Sequence, residues 1–138
     1  MLLTSCCDPV TRTGWDMDPF CVVSFSRRVF RTRVIRHSTT PVWDEKLLFH
    51  VRDHETHFNI SFAICDWDSV STNDQICEVT LDVGELLKES PQPDPVTGLY
   101  PSTASDDNDL KPLRIQMIPK AGSSWEGKSI PVLNLRCV

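Results

Sequence analysis

The chain has 138 residues, 40% of them hydrophobic and 24% charged, and a formal net charge of −5. That length supports a single domain, residues 1–138, with a sizeable core, and no apolar run approaches the ~20 residues of a membrane-spanning helix. The six cysteines form no CxxC pair, which argues against zinc or a disulfide framework and for a reduced, cytoplasmic chain; a monomer with no nucleic-acid partner is expected.

In chain order, residues 1–7 supply a short first strand, followed by strands at 20–26 and 29–36 around a short basic turn. Residues 38–41 read as a tight connection, because Pro41 forces its predecessor out of the helical region. Strands follow at 45–51 and 58–65, joined by a polar link, and then at 75–81. Residues 82–88 make a helical turn or two, and strands at 111–118 and 130–137 finish the sheet. Short strands at this spacing, divided by polar turns, indicate an all-β antiparallel sandwich and not a parallel α/β sheet. Residues 89–110 stand apart. They are rich in proline and then in serine and aspartate, read as a flexible insertion between strands, and offer Ser102, Thr103 and Ser105 as phosphorylation targets.

Two features carry chemistry. Asp66, Asp68 and Asp74 lie just after the apolar strand at 58–65, and Asp18 precedes Pro19-Phe20. Carboxylates crowded at a strand mouth repel one another unless a hard cation neutralises them, and calcium takes six to eight oxygens at about 2.3–2.6 Å in loose geometry. The competing view is that Asp, Ser and Asn are ordinary loop residues. The second feature is basic: Arg27, Arg28, Arg31, Arg33 and Arg36 are five of the fourteen Lys and Arg residues. A strand period of two puts Arg31 and Arg33 on one face, with Phe30, Thr32 and Val34 on the other. That face reads either as an anion-binding surface or as a solvated exterior.

Asp18-Pro19-Phe20, Phe30-Arg31-Thr32-Arg33-Val34, Thr40-Pro41-Val42-Trp43-Asp44-Glu45 and Asp66-x-Asp68-x5-Asp74 resemble, in order and spacing, the C2 domain. The stretches 11–20 and 31–37, with Trp125-Glu126-Gly127-Lys128 and Pro131-Val132-Leu133, are most similar to the C2 domain of fungal phosphatidylserine decarboxylases. The resemblance implies a Greek-key sandwich of eight strands (or seven) with one short helix, and Ca2+ and phospholipid bound by the loops at one end. It makes Asp18 a first-loop ligand, and Asp66, Asp68 and Asp74 third-loop ligands. Asp16 and the Trp67 backbone carbonyl are further candidates. The chain departs from the pattern at Arg12, where the family has another aspartate, and in its short first strand. These predict weaker calcium affinity and an exposed sheet edge, and suggest a truncated or alternative start of a larger protein.

Membrane attachment would then combine a calcium bridge, attraction of anionic headgroups by Arg27, Arg28, Arg31, Arg33 and Arg36, and insertion of Trp15, Met17 and Val70 at the interface. The expectation is a cytoplasmic, peripherally membrane-associated, calcium-dependent module for phosphatidylserine or phosphoinositide that targets a lipid-metabolic protein. The alternative is a calcium-independent C2-like lipid or protein interaction module whose metal site is degenerate. An enzyme is not expected of the chain alone, though it fits as a fragment of a phosphatidylserine decarboxylase-like enzyme. His54-Glu55-Thr56-His57 is one residue short of HExxH, no EF-hand glycine follows Asp68, and no nucleophile motif is present.

Overall fold

Burial that alternates along the chain builds the molecule. Cys21, Val23 and Phe25 are buried, as are Ile60, Phe62 and Ile64, while the residues between them are partly exposed. This is the period of a strand with one face in the core. The computed structural model describes residues 2–6, 17–47, 49, 58–70, 72–84, 88, 94–99, 111–122 and 131–137.

The described strands are β1 (Leu2–Cys6), β2 (Pro19–Phe25), β3 (Arg28–Arg31), β4 (Glu45–Lys46), β5 (Asn59–Asp66), β6 (Asp74–Asp82), β7 (Lys111–Gln116), β8 (Ile118–Pro119) and β9 (Val132–Cys137). They form two sheets, ordered β4-β1-β9-β7 and β3-β2-β5-β6-β8. Every pairing is antiparallel. In the second sheet the registers line up core rows Cys21–Ile64–Cys77, Val23–Phe62–Val79 and Phe25–Ile60–Leu81. Leu133 and Leu135 on β9, with Leu113 and Ile115 on β7, supply the opposing layer. Trp43, Phe62, Met117 and Leu133 are fully buried, and each such side chain is worth roughly 1.5–3 kcal/mol over exposure. The architecture is the expected antiparallel sandwich, with β8 as one extra two-residue strand, and with the strand expected at 45–51 reduced to Glu45–Lys46 among the described residues. Gly84 and Lys88 are helical, in keeping with the turn expected at 82–88.

Three expectations are corrected. The strand expected at 29–36 ends as a ladder at Arg31. Beyond it, the Thr32 N–H still donates to the Cys21 carbonyl (2.9 Å), but the Cys21 N–H donates to the Thr32 hydroxyl (2.9 Å) in place of a backbone carbonyl. The strand expected at 111–118 is split at Met117. Its N–H donates to the Pro131 carbonyl (2.8 Å) and its side chain is 1% exposed, and there the chain crosses from one sheet to the other. β1 is no sheet edge, since it runs between β4 and β9. The edge falls instead on the two-residue β4, a short edge that offers little template for pairing.

Of the insertion expected at 89–110, residues 94–99 form a closed turn. The Asp94 carboxylate accepts the N–H groups of Val96 (2.7 Å) and Thr97 (3.0 Å), and Asp94 N–H donates to the Leu99 carbonyl (2.9 Å). The rest of that insertion lies outside the described residues, as do Ser102, Thr103, Ser105, Arg12, Asp16, Trp15, His54, His57 and Trp125.

Candidate functional site at one end of the sandwich

Strand register brings the acidic residues together. Asp66 ends β5, with Pro19 as its partner on β2 and Asp74 as its partner on β6. Asp18, one residue ahead of Pro19, therefore reaches the same corner. Its N–H donates to Asp66 Oδ1 (2.9 Å), and its carbonyl accepts the Trp67 N–H (3.0 Å). Asp68 begins the connecting loop. Its N–H is taken by Asn73 Oδ1 (3.1 Å), and its Oδ1 accepts the Val70 N–H (2.8 Å), an Asx turn that holds the loop folded back on itself.

The two carboxylates from β2 and β5 differ in their electrostatics. Burial pushes the Asp66 carboxyl above the usual carboxylate range. The hydrogen bond from Asp18 N–H opposes this, and the negative charges of Asp18, Asp68 and Asp74 add to the rise. Asp18 is held below that range, first by the His37 backbone N–H and then, against some burial, by Arg36. Arg36 Nη1 donates to Asp18 Oδ2 at 2.6 Å, and His37 N–H donates to Oδ1 at 2.8 Å. His37 reaches that position with φ at 53°, a left-handed conformation that costs a non-glycine residue on the order of 1 kcal/mol.

The donor set of Asp18, Asp66, Asp68 and Asp74 is hard oxygen, the chemistry calcium takes. In chemical terms the residues fit a calcium ion. Among the described residues, however, no three His, Cys, Asp or Glu side chains stand in a metal-holding arrangement. Both Asp18 oxygens already accept hydrogen bonds within the protein, from Arg36 and from the His37 N–H. Beside the carboxylates, Asp66, Asp74, Gln75, Ile76, Lys120, Ala121 and Gly122 line an open cleft of about 210 Å³. Lys120 faces this cleft because its N–H bonds the Ile76 carbonyl (3.0 Å). Nothing in the sequence pattern singled it out.

The arginines do not share one surface. Arg27 and Arg28 sit at the β2–β3 turn beside Phe25, the far end of β2 from Asp18. Six strand steps at ~3.3 Å put them roughly 20 Å from the carboxylates. Arg31 lies over the Phe20 ring, 4.0 Å from its centroid. Arg33 donates from Nη2 to the Trp43 carbonyl (2.6 Å), and its N–H bonds Glu45 Oε1 (2.9 Å). Of the five, Arg36 is at the site, 3.9 Å over the Trp67 ring. All five remain exposed.

Of the residues expected at the membrane, Val70 is 93% exposed on the Asp68–Asn73 loop, whereas Met17 is a correction. Met17 is 7% exposed and part of the core, because its carbonyl accepts the Ser38 N–H (2.8 Å) and turns its side chain inward. It is not available for insertion. Trp15 and Asp16 lie outside the described residues.

A family model for the C2 domain matches residues 5–98. Phosphatidylserine decarboxylase proenzyme 3 of Schizosaccharomyces pombe is 44% identical over 91 residues, 66% of this chain and 9% of that protein. Phosphatidylserine decarboxylase proenzyme 2 of Saccharomyces cerevisiae is 39% identical over 80 residues, 58% of this chain and 7% of that protein. The chain thus spans less than a tenth of these relatives. Among solved structures, the calcium-bound pair of C2 domains from extended-synaptotagmin 2 aligns with a TM-score of 0.62 at 15% identity, covering 98% of this chain and 42% of that chain. At that identity the likeness speaks for the fold.

Proposed function

The chain belongs to the C2 domain family, and from that premise we propose that it is a calcium-dependent, anionic-phospholipid-binding module that brings a phosphatidylserine decarboxylase-like protein to membranes. The observation that carries this reading is Asp66. It is a half-buried carboxylate that register sets opposite Asp74 and beside Asp18, and the negative charges of Asp18, Asp68 and Asp74 all act on it. Asp18, Asp66, Asp68 and Asp74 would hold calcium there, with the Trp67 carbonyl as a further donor. When bound, the ion supplies charge neutralisation and a bridge to lipid phosphate or carboxylate oxygens. Val70 is placed on the same loop to meet the interfacial layer, and Arg36 and Lys120 are cations at this end for headgroup oxygens. Arg31 adds a weaker, longer-range attraction from the outer sheet face, and Arg27 and Arg28 do so from the opposite end.

Sedimentation with phosphatidylserine vesicles, in calcium and in chelator, tests the proposal. Calcium is expected to increase the bound fraction, and replacing Asp66 and Asp68 by Asn is expected to abolish that increase. A bound fraction equal in calcium and chelator would overturn it. One observation favours a second reading, a calcium-independent module: both Asp18 oxygens are committed to protein donors. In that case the chelator and the two Asn substitutions leave vesicle binding untouched.

A further inference from the structure

Arg36 joins two other chain segments at the acidic corner to its own. It comes from the connection between β3 and β4, bonds Asp18 ahead of β2, and stacks on Trp67 after β5. We propose that Arg36 is an exchangeable internal counter-ion: it neutralises Asp18 when no metal is bound, and it is handed to a phospholipid phosphate when the carboxylates turn to a metal. This rests on the calcium reading above and assigns Arg36 a role beyond general attraction of headgroups.

The geometry supports each half of the exchange. The Asp18 carboxylate is 2.6 Å from the guanidinium, and its side chain is only 15% exposed, so solvent screens the pair weakly at that end. Each carboxylate oxygen keeps a second lone pair, so Arg36 and a divalent ion do not exclude each other by shape. They conflict by charge, because both would sit within a few ångströms at one small anion. The Arg36 side chain is 53% exposed, and its planar fork matches a phosphate as well as a carboxylate. Stacking on Trp67 keeps the guanidinium at the loop end after it leaves Asp18. A lipid phosphate that takes Arg36 frees Asp18 for metal, and by linkage metal frees Arg36 for phosphate. One residue thereby makes lipid and metal binding mutually reinforcing.

The consequence runs against ordinary expectation for a membrane-binding arginine: removing it should strengthen metal binding in the absence of lipid. Calcium titration calorimetry on the wild type, Arg36→Gln and Arg36→Lys tests this, each without lipid, with phosphatidylcholine vesicles, and with vesicles containing phosphatidylserine. Terbium luminescence sensitised by tryptophan serves as a second readout. Without lipid, Arg36→Gln is expected to bind calcium about two- to five-fold more tightly than wild type, the range for losing one partly exposed ion pair. Phosphatidylserine vesicles are expected to enhance its calcium affinity less than they enhance the wild type's. Arg36→Lys keeps the competing charge and should stay near wild type without lipid, while losing part of the enhancement. Calcium affinity of Arg36→Gln that is equal to or weaker than wild type would overturn the exchange, even if the wild type binds vesicles in calcium. If the wild type binds no calcium but Arg36→Gln does, the exchange stands and the calcium-dependent function fails. If neither chain binds calcium, both are refuted.

Discussion

Replacing Asp66 by Asn should move stability in opposite directions with and without calcium. In chelator at pH 7, the wild-type carboxylate is half-buried, faces Asp74 directly across the β5–β6 pair, and has Asp18 and Asp68 nearby. Like charges directly opposite in a sheet cost about 0.2–1 kcal/mol, and the two further carboxylates and partial burial bring the total to about 1 kcal/mol after solvent screening. Asn keeps an oxygen for the Asp18 N–H, losing about 0.5 kcal/mol because the acceptor is no longer charged. The net expectation is a gain of about 0.5 kcal/mol, or roughly 1–2 °C in Tm. Because the folded carboxyl is raised above its unfolded value of 3.8, the wild type recovers this deficit as pH falls through the raised pKa, and the advantage of Asn shrinks there. In calcium at about 100 times Kd, the wild type gains about 2.7 kcal/mol by linkage, which the variant should largely forgo. Scanning calorimetry in chelator and in calcium would read the inversion. A variant that is less stable than wild type in chelator, or that gains equally from calcium, would refute the reasoning.

Other consequences follow from the same contacts. Asp18→Asn should destabilise the chelated protein by about 1 kcal/mol in urea unfolding, since it removes the charge-assisted bond to Arg36 and turns an amide toward a guanidinium. The folded pKa of Asp18 is depressed, so its contribution is present above about 3.8 and lost as pH falls through the depressed value, opposite to Asp66. Ser26, at φ 54° in the two-residue turn joining β2 and β3, occupies a position suited to glycine. Ser26→Gly should stabilise by about 0.5–1 kcal/mol, the left-handed penalty less the added freedom of the unfolded chain. Met17→Ala should cost about 2–3 kcal/mol as a core truncation while leaving vesicle affinity per folded molecule unchanged. Val70→Asp should do the reverse, weakening vesicle sedimentation without shifting Tm.

The strands were legible as short apolar runs divided by polar turns, with burial alternating along 21–25 and 60–64, and the acidic corner was legible because Asp-Pro-Phe and the Asp66–Asp74 series sit at strand ends. What escaped were side chains that substitute for backbone or cross between layers. The Thr32 hydroxyl takes a ladder position that the sequence assigned to backbone, so the arginine strand stops early. Met117 has the composition of a strand residue yet marks a corner, since only the paths of β7 and β8 into different sheets reveal it. Met17 looked like a loop-tip apolar group because it neighbours Trp15 and Asp18, but its bond to Ser38 turns it inward. The arginines formed a run in the chain yet spread over roughly 20 Å, because extended backbone advances about 3.3 Å per residue from the β2–β3 turn to Arg36. The placement of Arg36 on Asp18 and Trp67 depends on three segments meeting, which no local pattern encodes.

A calcium titration of the lipid-free chain followed by ¹H–¹⁵N NMR tests the central claim most directly, that carboxylates from separate segments share one ion. The backbone N–H groups of Asp18, His37, Asp68 and Val70 are expected to shift together with a single affinity, while those of Phe25, Arg27 and Arg28 at the far end stay in place. No shifts at saturating calcium, or shifts confined to the Asp68–Asn73 loop with Asp18 and His37 unmoved, would contradict the account.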